Sequence, residues 1–271
     1  MSDADWVEFL QWALPRLHLR WPGFRKVRRQ VCRRIRHRLL ELNLQDLAAY
    51  RDLLARGPAE WSRLDACCRI SISRFYRDRD VFDFLRDRVL PQLACRATDA
   101  GRSVLRCWSV GCASGEEPYT LSIMWQADLG ARFPGLDLEV VATDIDAQLL
   151  QRARRAVYGR SSLKDLPDAW VSLAFQPEGE AYRLAEPFRG GVRWVQQDLR
   201  QEAPAGEFEL VLCRHLALTY FDESLQEQIL RRIAAHMPSG GVLVTSKKET
   251  LPAGCELFLP GPARLGTYRR R

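Results

Sequence analysis

The chain has 271 residues, 46% hydrophobic and 28% charged, a balance that supports one large folded unit or two modest ones. No apolar run approaches the ~18 residues that span a bilayer, the opening MSDADWVEFLQWALP lacks the basic region of a secretory signal, and no membrane insertion is expected. The eight cysteines are scattered, with no C-x-x-C pair and no His cluster, which argues against structural zinc and for a reduced, cytoplasmic setting.

Net charge is +7, and much of it is local. Residues 25–38, RKVRRQVCRRIRHR, carry Val27, Val31, Ile35 and then Leu39 at four-residue spacing, an amphipathic helix with a basic outer face. That face is a solvated surface, a dock for an acidic protein or, third, a nucleic-acid contact. No aromatic interleaving or nucleic-acid motif supports the last, so no nucleic acid is expected. Leucine periodicity continues from Leu39 to Leu54, Gly57-Pro58 interrupts it, and Trp61, Leu64 and Cys68 resume a helical stripe. Residues 71–77 form a polar-aromatic connector. A helix follows with Val81, Phe82, Leu85 and Val89 on one face and Pro91 near its end. The expected division is a helical N-terminal domain with its connector over 1–78 and an α/β domain over 79–271.

From 104 onward strands alternate with helices, the pattern of a parallel sheet covered on both faces. The strand candidates are 104–110, 138–142, 192–195, 208–213 and 241–246, with helices from Leu149 to Val157 and from Leu225 to His236. Residues 174–195 break the alternation with two short runs around Gly and Pro, a small antiparallel excursion. The tail, around Cys255–Leu259 and Leu265–Arg269, reads as a closing hairpin.

The stretch from Cys107 to Tyr119 is the most informative. It reads as a buried strand, a small-residue turn containing Gly111, and a helix start. Such a turn lets the backbone approach a nucleotide-like ligand closely. The next strand ends in Thr143-Asp144-Ile145-Asp146, where an acid roughly 20 residues past the turn can accept from a ribose diol. The turn is neither G-x-G-x-x-G nor a P-loop. Glu116 and Glu117 stand where a pyrophosphate would need a helix N-terminus bare of negative charge. Carboxylates there suit an ammonium or sulfonium, as in S-adenosylmethionine, or they cap the helix dipole.

Four segments resemble the CheR family, the chemotaxis-type protein-glutamate O-methyltransferases. They are Trp108–Tyr119, Ala142–Asp146, Cys213–Asp222 and Ser71–Asp78. The resemblance runs over roughly residues 25 to 250. It implies a Rossmann-like class I S-adenosylmethionine-dependent methyltransferase domain with a small β-subdomain, preceded by an all-helical N-terminal domain. By the same resemblance Ser71, Ser73 and Arg77 are connector positions that touch cofactor, Arg77 beside the methyl-transfer centre. Glu116 or Glu117 is the acidic contact of the turn, and Asp144 the ribose acceptor. Asp198 and Leu199 match an N-L pair beside adenine, Arg214 and His215 an R-N pair, and Tyr220 a tyrosine near the reacting methyl.

The chain departs from that pattern in places. His215 replaces Asn, the segment to Tyr220 is one residue longer, and the connector carries Ser71 and Ser73 where the family has Asn and Thr. Thr245-Ser246-Lys247-Lys248-Glu249 stands in place of G-x-S-E, and the excursion is short. The implied reaction is methyl transfer to glutamate side chains of an acidic, chemoreceptor-like helical bundle. The alternatives are transfer to another protein or a small molecule, or a non-catalytic cofactor-binding module. A carboxylate acceptor is already ionised at neutral pH, so no general base and no metal is needed. Arg77 could hold the acceptor carboxylate and Tyr220 orient it. Each has a plainer alternative: a surface ion pair for Arg77, core packing for Tyr220. His215 is either a satisfied core histidine or a cofactor contact, and a candidate base if the acceptor were a hydroxyl. Cys112 reads as a small residue that fits the turn.

Overall fold

The computed structural model describes residues 1–262 and 264–271. Its contacts divide into two units, one of Met1–Ser71 with Thr219–Gln226, the other of Ile72–Leu218 with Glu227–Arg271. Connector residues from Ile72 onward therefore group with the second unit, where Phe75 and Tyr76 have no exposed surface.

The first unit is helical. Helix Asp3–Ala13 starts from a reciprocal cap, in which Ser2 Oγ accepts the Asp5 N–H and Asp5 accepts the Ser2 N–H. Helix Arg28–Glu41 buries Val31, Cys32, Ile35 and Leu39 and leaves Arg29, Arg33 and Arg36 exposed, with Arg25 and Lys26 exposed just ahead of it. Its inner arginine, Arg38, forks onto Glu60 at 2.8 and 3.0 Å, and Glu60 also accepts the Tyr50 hydroxyl at 2.8 Å. Gly57-Pro58 separates helices Leu47–Ala55 and Pro58–Cys68, as the sequence indicates, because Pro is well placed at a helix start. Segment Thr219–Gln226 returns to this unit. Arg20 N–H donates to the Tyr220 carbonyl at 2.8 Å, and Asp222 N–H donates to the His18 carbonyl at 2.9 Å.

In the second unit seven strands form one sheet. They are β1 (Val104–Val110), β2 (Asp137–Asp144), β6 (Val192–Gln196), β7 (Leu210–Leu212), β8 (Val242–Val244), β9 (Phe258–Pro260) and β10 (Thr267–Arg270). Their order is β6-β2-β1-β7-β8-β10-β9, with the first five parallel and β10 antiparallel to both neighbours. This is the Rossmann-like sheet of the expected α/β class. The tail forms the expected hairpin, β9 against β10. Strand β7 is shorter than the apolar run 208–213 suggests. Phe208 lies outside it, fully buried and packed 5.6 Å from the Trp108 ring.

Three expectations are corrected. Pro91 does not lie near the end of its helix: the chain stays helical from Arg79 to Asp99, with a wide π turn over Leu85–Val89 just before Pro91. That turn shifts the hydrogen-bond register, so the proline's missing N–H is tolerated. The antiparallel excursion also begins earlier than 174 and ends before 195. It is a three-stranded sheet of β3 (Val157–Gly159), β5 (Ala181–Leu184) and β4 (Phe175–Glu178), in the order β3-β5-β4. Residues 192–196 belong to the large sheet instead. Val157 was expected to close a helix, but Ala156 adopts φ 53 and turns the chain into β3.

Trp108 ties β1 to β2. It has no exposed surface, and its Nε1 donates to Thr143 Oγ1 at 2.9 Å. Trp108→Ala would leave a large cavity and an unpaired hydroxyl, and should destabilise the chain by about 3–5 kcal/mol in a denaturant titration.

Candidate functional site

Strand order reverses at β1, which has β2 on one side and β7 on the other. In an open parallel sheet the crevice at the carboxyl ends of the strands beside such a reversal is where a ligand binds. Here those ends carry the small-residue turn, Asp144, Gln197–Leu199 and Arg214-His215.

The turn is built for close approach. Gly111 has φ +66, and a Cβ there would lie 2.5 Å from Leu216 Cδ2. Gly115 has φ +93, and a Cβ would lie 2.8 Å from the Trp194 ring and 2.9 Å from Ala153 Cβ. Between them Ala113 is also left-handed, at φ 49. Its N–H donates to Asp144 Oδ2 at 2.8 Å, while Asp144 Oδ1 accepts the Asp146 N–H at 2.9 Å. Each carboxylate oxygen has two lone pairs, so Asp144 can bond the loop and accept from a diol as well. Tyr158 of β3 donates its hydroxyl to the Ser114 carbonyl at 2.8 Å, and burial pushes its phenol well up, so it remains a donor.

The two glutamates of the turn differ. Glu116 is 3% exposed and accepts from Ser114 Oγ at 3.0 Å and Ser162 Oγ at 3.1 Å. Both of these partners lie within the second unit. Glu117 accepts from Ser109 Oγ at 2.8 Å and from Arg214 Nη1 at 3.0 Å.

Arg214 is more deeply placed than the sequence suggests, its side chain only 3% exposed. Besides Glu117, its Nη2 donates to Asp78 Oδ2 and to the Arg77 carbonyl, both at 2.7 Å, and its guanidinium lies 5.0 Å from the Phe82 ring centre. His215, at φ 55, reaches the same Asp78 Oδ2 with Nε2 at 3.1 Å, and its N–H donates to Glu249 Oε2 at 3.1 Å. Glu249 Oε2 also accepts the Ser246 N–H, at 2.7 Å. Asp78 and Glu249 are the residues that sequence reasoning missed. Asp78 closed the connector segment without an assigned part. Glu249 is a carboxylate still present where the segment was read only for its lost G-x-S-E. Asp198 pairs with Arg200 at 2.9 Å, and Leu199 is buried. Arg77 donates Nη1 to the Ile72 carbonyl at 2.7 Å. Ser73 is half-exposed in the second unit. Ser71 and Tyr220 belong to the first unit, where the Tyr220 ring lies 5.0 Å from that of Phe24.

A tight bend that a side chain would fill, an acid bonded into it and no phosphate-cradling loop fit a nucleoside bearing positive charge. Residues 71–260 match the family described as CheR methyltransferase, SAM binding domain. The chain belongs to the CheR methyltransferase family. It is 31% identical over 225 residues to chemotaxis protein methyltransferase 2 of Pseudomonas aeruginosa, covering 81% of this chain and 77% of that one. It is 31% identical over 182 residues to the chemotaxis protein methyltransferase of Listeria monocytogenes, covering 67% and 66%. An uncharacterized 104.1 kDa protein from the hypE 3' region of Rhodobacter capsulatus is 31% identical over 223 residues, covering 82% of this chain but only 23% of that one. The cofactor of this CheR domain is S-adenosylmethionine. Among the described residues no helix is long and apolar enough to cross a membrane, and no His, Cys, Asp and Glu group is arranged to hold a metal.

Two predictions follow from the charges here. The hydrogen bond from His215, followed by the charge of Arg214, holds the Asp78 carboxyl well below the usual range against the opposing effect of burial. A depressed carboxyl contributes stability above its unfolded pKa of about 4, and loses it as pH falls toward the folded value. The stability gap between the wild type and Asp78→Asn should therefore be widest near neutrality and shrink below about pH 4 in pH-dependent denaturant melts. Cys112, its thiol pushed well up by burial and then by Asp144, should resist iodoacetamide at pH 8, while exposed Cys95 reacts, as read by peptide mass mapping.

Proposed function

We propose that the chain transfers the methyl group of S-adenosylmethionine to glutamate carboxylates of an acidic, chemoreceptor-like helical protein in the cytoplasm. The observation that carries this reading is the left-handed bend at the strand-order reversal with Asp144 bonded into it, in a chain of this family. When bound, the cofactor supplies an electrophilic methyl group on a sulfonium. The chain's residues do the rest. Gly111 and Ala113 bring backbone against the nucleoside, and Asp144 accepts from the ribose diol. Glu117, one of whose charge partners is Arg214, lends negative potential next to the cationic end of the donor. Asp198 and Leu199 border the base, and Ser73 adds a polar contact.

Arg77 holds the acceptor carboxylate through charge-assisted hydrogen bonds. The acceptor arrives ionised, so rate comes from alignment and water exclusion rather than from proton transfer. His215 is accordingly not assigned as a base. Its ring is engaged by Asp78, which suits a structural part. The exposed arginines of helix Arg28–Glu41 suit an acidic partner. Arg28, Arg34 and Arg38 are bonded within the unit, while Arg25, Lys26, Arg29, Arg33 and Arg36 are exposed.

The test is transfer of labelled methyl from the cofactor to chemoreceptor-bearing membranes, with calorimetry of cofactor binding alongside. The product should be base-labile, as a methyl ester is. Arg77→Ala should cut turnover by about 100-fold with cofactor affinity changed by less than about 5-fold. Cofactor binding without ester formation on any receptor preparation would reject the carboxylate acceptor. No binding at all would reject the reading entirely.

A further inference from the structure

Arg77 sits between two residues in an uncommon backbone state. Tyr76 has φ 55 and Asp78 has φ 64, both left-handed and neither a glycine. Such strain persists only where neighbours over-determine it, and it gathers at functional sites. On the Tyr76 side the clamp is plain. The ring is fully buried and lies 5.3 Å from Phe82, its hydroxyl donates to Asp83 at 2.7 Å, and its N–H donates to Thr120 Oγ1 at 3.1 Å. On the other side the clamp is electrostatic. Asp78 Oδ2 collects Arg214 Nη2 at 2.7 Å and His215 Nε2 at 3.1 Å, and the same Arg214 nitrogen grips the Arg77 carbonyl at 2.7 Å. The loop holding Arg214 and His215 is in turn fixed by Glu249.

We propose that Asp78 is a positioning residue for Arg77, its carboxylate joining the connector to Arg214 and His215 so that the Arg77 backbone is presented in one conformation. This inference rests on the part given to Arg77 above. It deepens that reading by assigning a residue that need not touch cofactor or acceptor. It also accounts for the histidine at 215, whose ring supplies a second donor to the carboxylate. Without that carboxylate Arg214 keeps Glu117 and the Arg77 carbonyl, so the loop stays anchored while the connector loses the two donors that hold it on the Asp78 side and Arg77 is less tightly fixed.

The experiment compares wild type, R77A, D78A, D78N and the R77A/D78A double variant as full-length chains. Turnover is read with labelled S-adenosylmethionine on chemoreceptor-bearing membranes. S-adenosylhomocysteine affinity is read by calorimetry, and connector order by amide hydrogen exchange over residues 72–78. We expect D78A to lower kcat by about 10- to 100-fold while S-adenosylhomocysteine affinity moves by less than about 3-fold. D78N, which keeps one acceptor oxygen and the side-chain shape, should fall between wild type and D78A. The double variant should be no slower than R77A, because a residue that acts through another adds nothing once that one is gone. Exchange protection of the connector should drop in D78A and hold in R77A. Additive losses in the double variant, or product affinity falling in step with kcat, would overturn the proposal. Full activity of D78A beside an impaired R77A would overturn it alone. Full activity of R77A would remove the underlying reading of Arg77 as well.

Discussion

A guanidinium buried as deeply as that of Arg214 must be surrounded by acceptors, and meeting that requirement arranges the site. An uncompensated buried charge is very costly, and removing one partner of a buried pair costs more than the pair itself contributes. Glu117 from the helix after β1, Asp78 from the connector and the Arg77 carbonyl all converge on it. One residue just past β7 thereby gathers the helix that follows the bend after β1 and the connector, although they lie about a hundred residues or more away along the chain. Among the described residues the buried Nε of Arg214 finds no acceptor, so its other donors carry the compensation.

The alternation of apolar strands with amphipathic helices was legible because a parallel sheet buried on both faces demands it, and the bend after β1 was legible because only small residues tolerate its backbone. The ends of elements were harder. Phe208 is as apolar as a strand residue but serves the core from outside β7, and apolar runs do not separate the two uses. A proline normally marks a helix end, yet the π turn before Pro91 removes the conflict through backbone register, which composition does not express. The small sheet was located too late because β3 is three residues long, below the length at which alternation can be read.

At the site, residue types were legible and bonding partners were not. Glu116 and Glu117 are adjacent and chemically alike, but one turns inward to two serines and the other meets Arg214. A helix rotates neighbours by about 100°, so which one faces the strand ends depends on the phase of the helix and not on the motif. Glu249 shows the opposite problem. Its neighbours had changed enough that the segment read as lost, while the carboxylate itself still receives two backbone N–H groups. Long-range pairs such as Asp78 with His215 leave no local signal, since the two are 137 positions apart.

The hydroxyl of Tyr158 on the Ser114 carbonyl joins the three-stranded sheet to the bend after β1. The excursion is therefore not an ornament that an engineer could trim to reach a minimal enzyme. Shortening it would unmoor the bend after β1, and a chain so pruned would keep its large sheet while losing the rigidity of that turn.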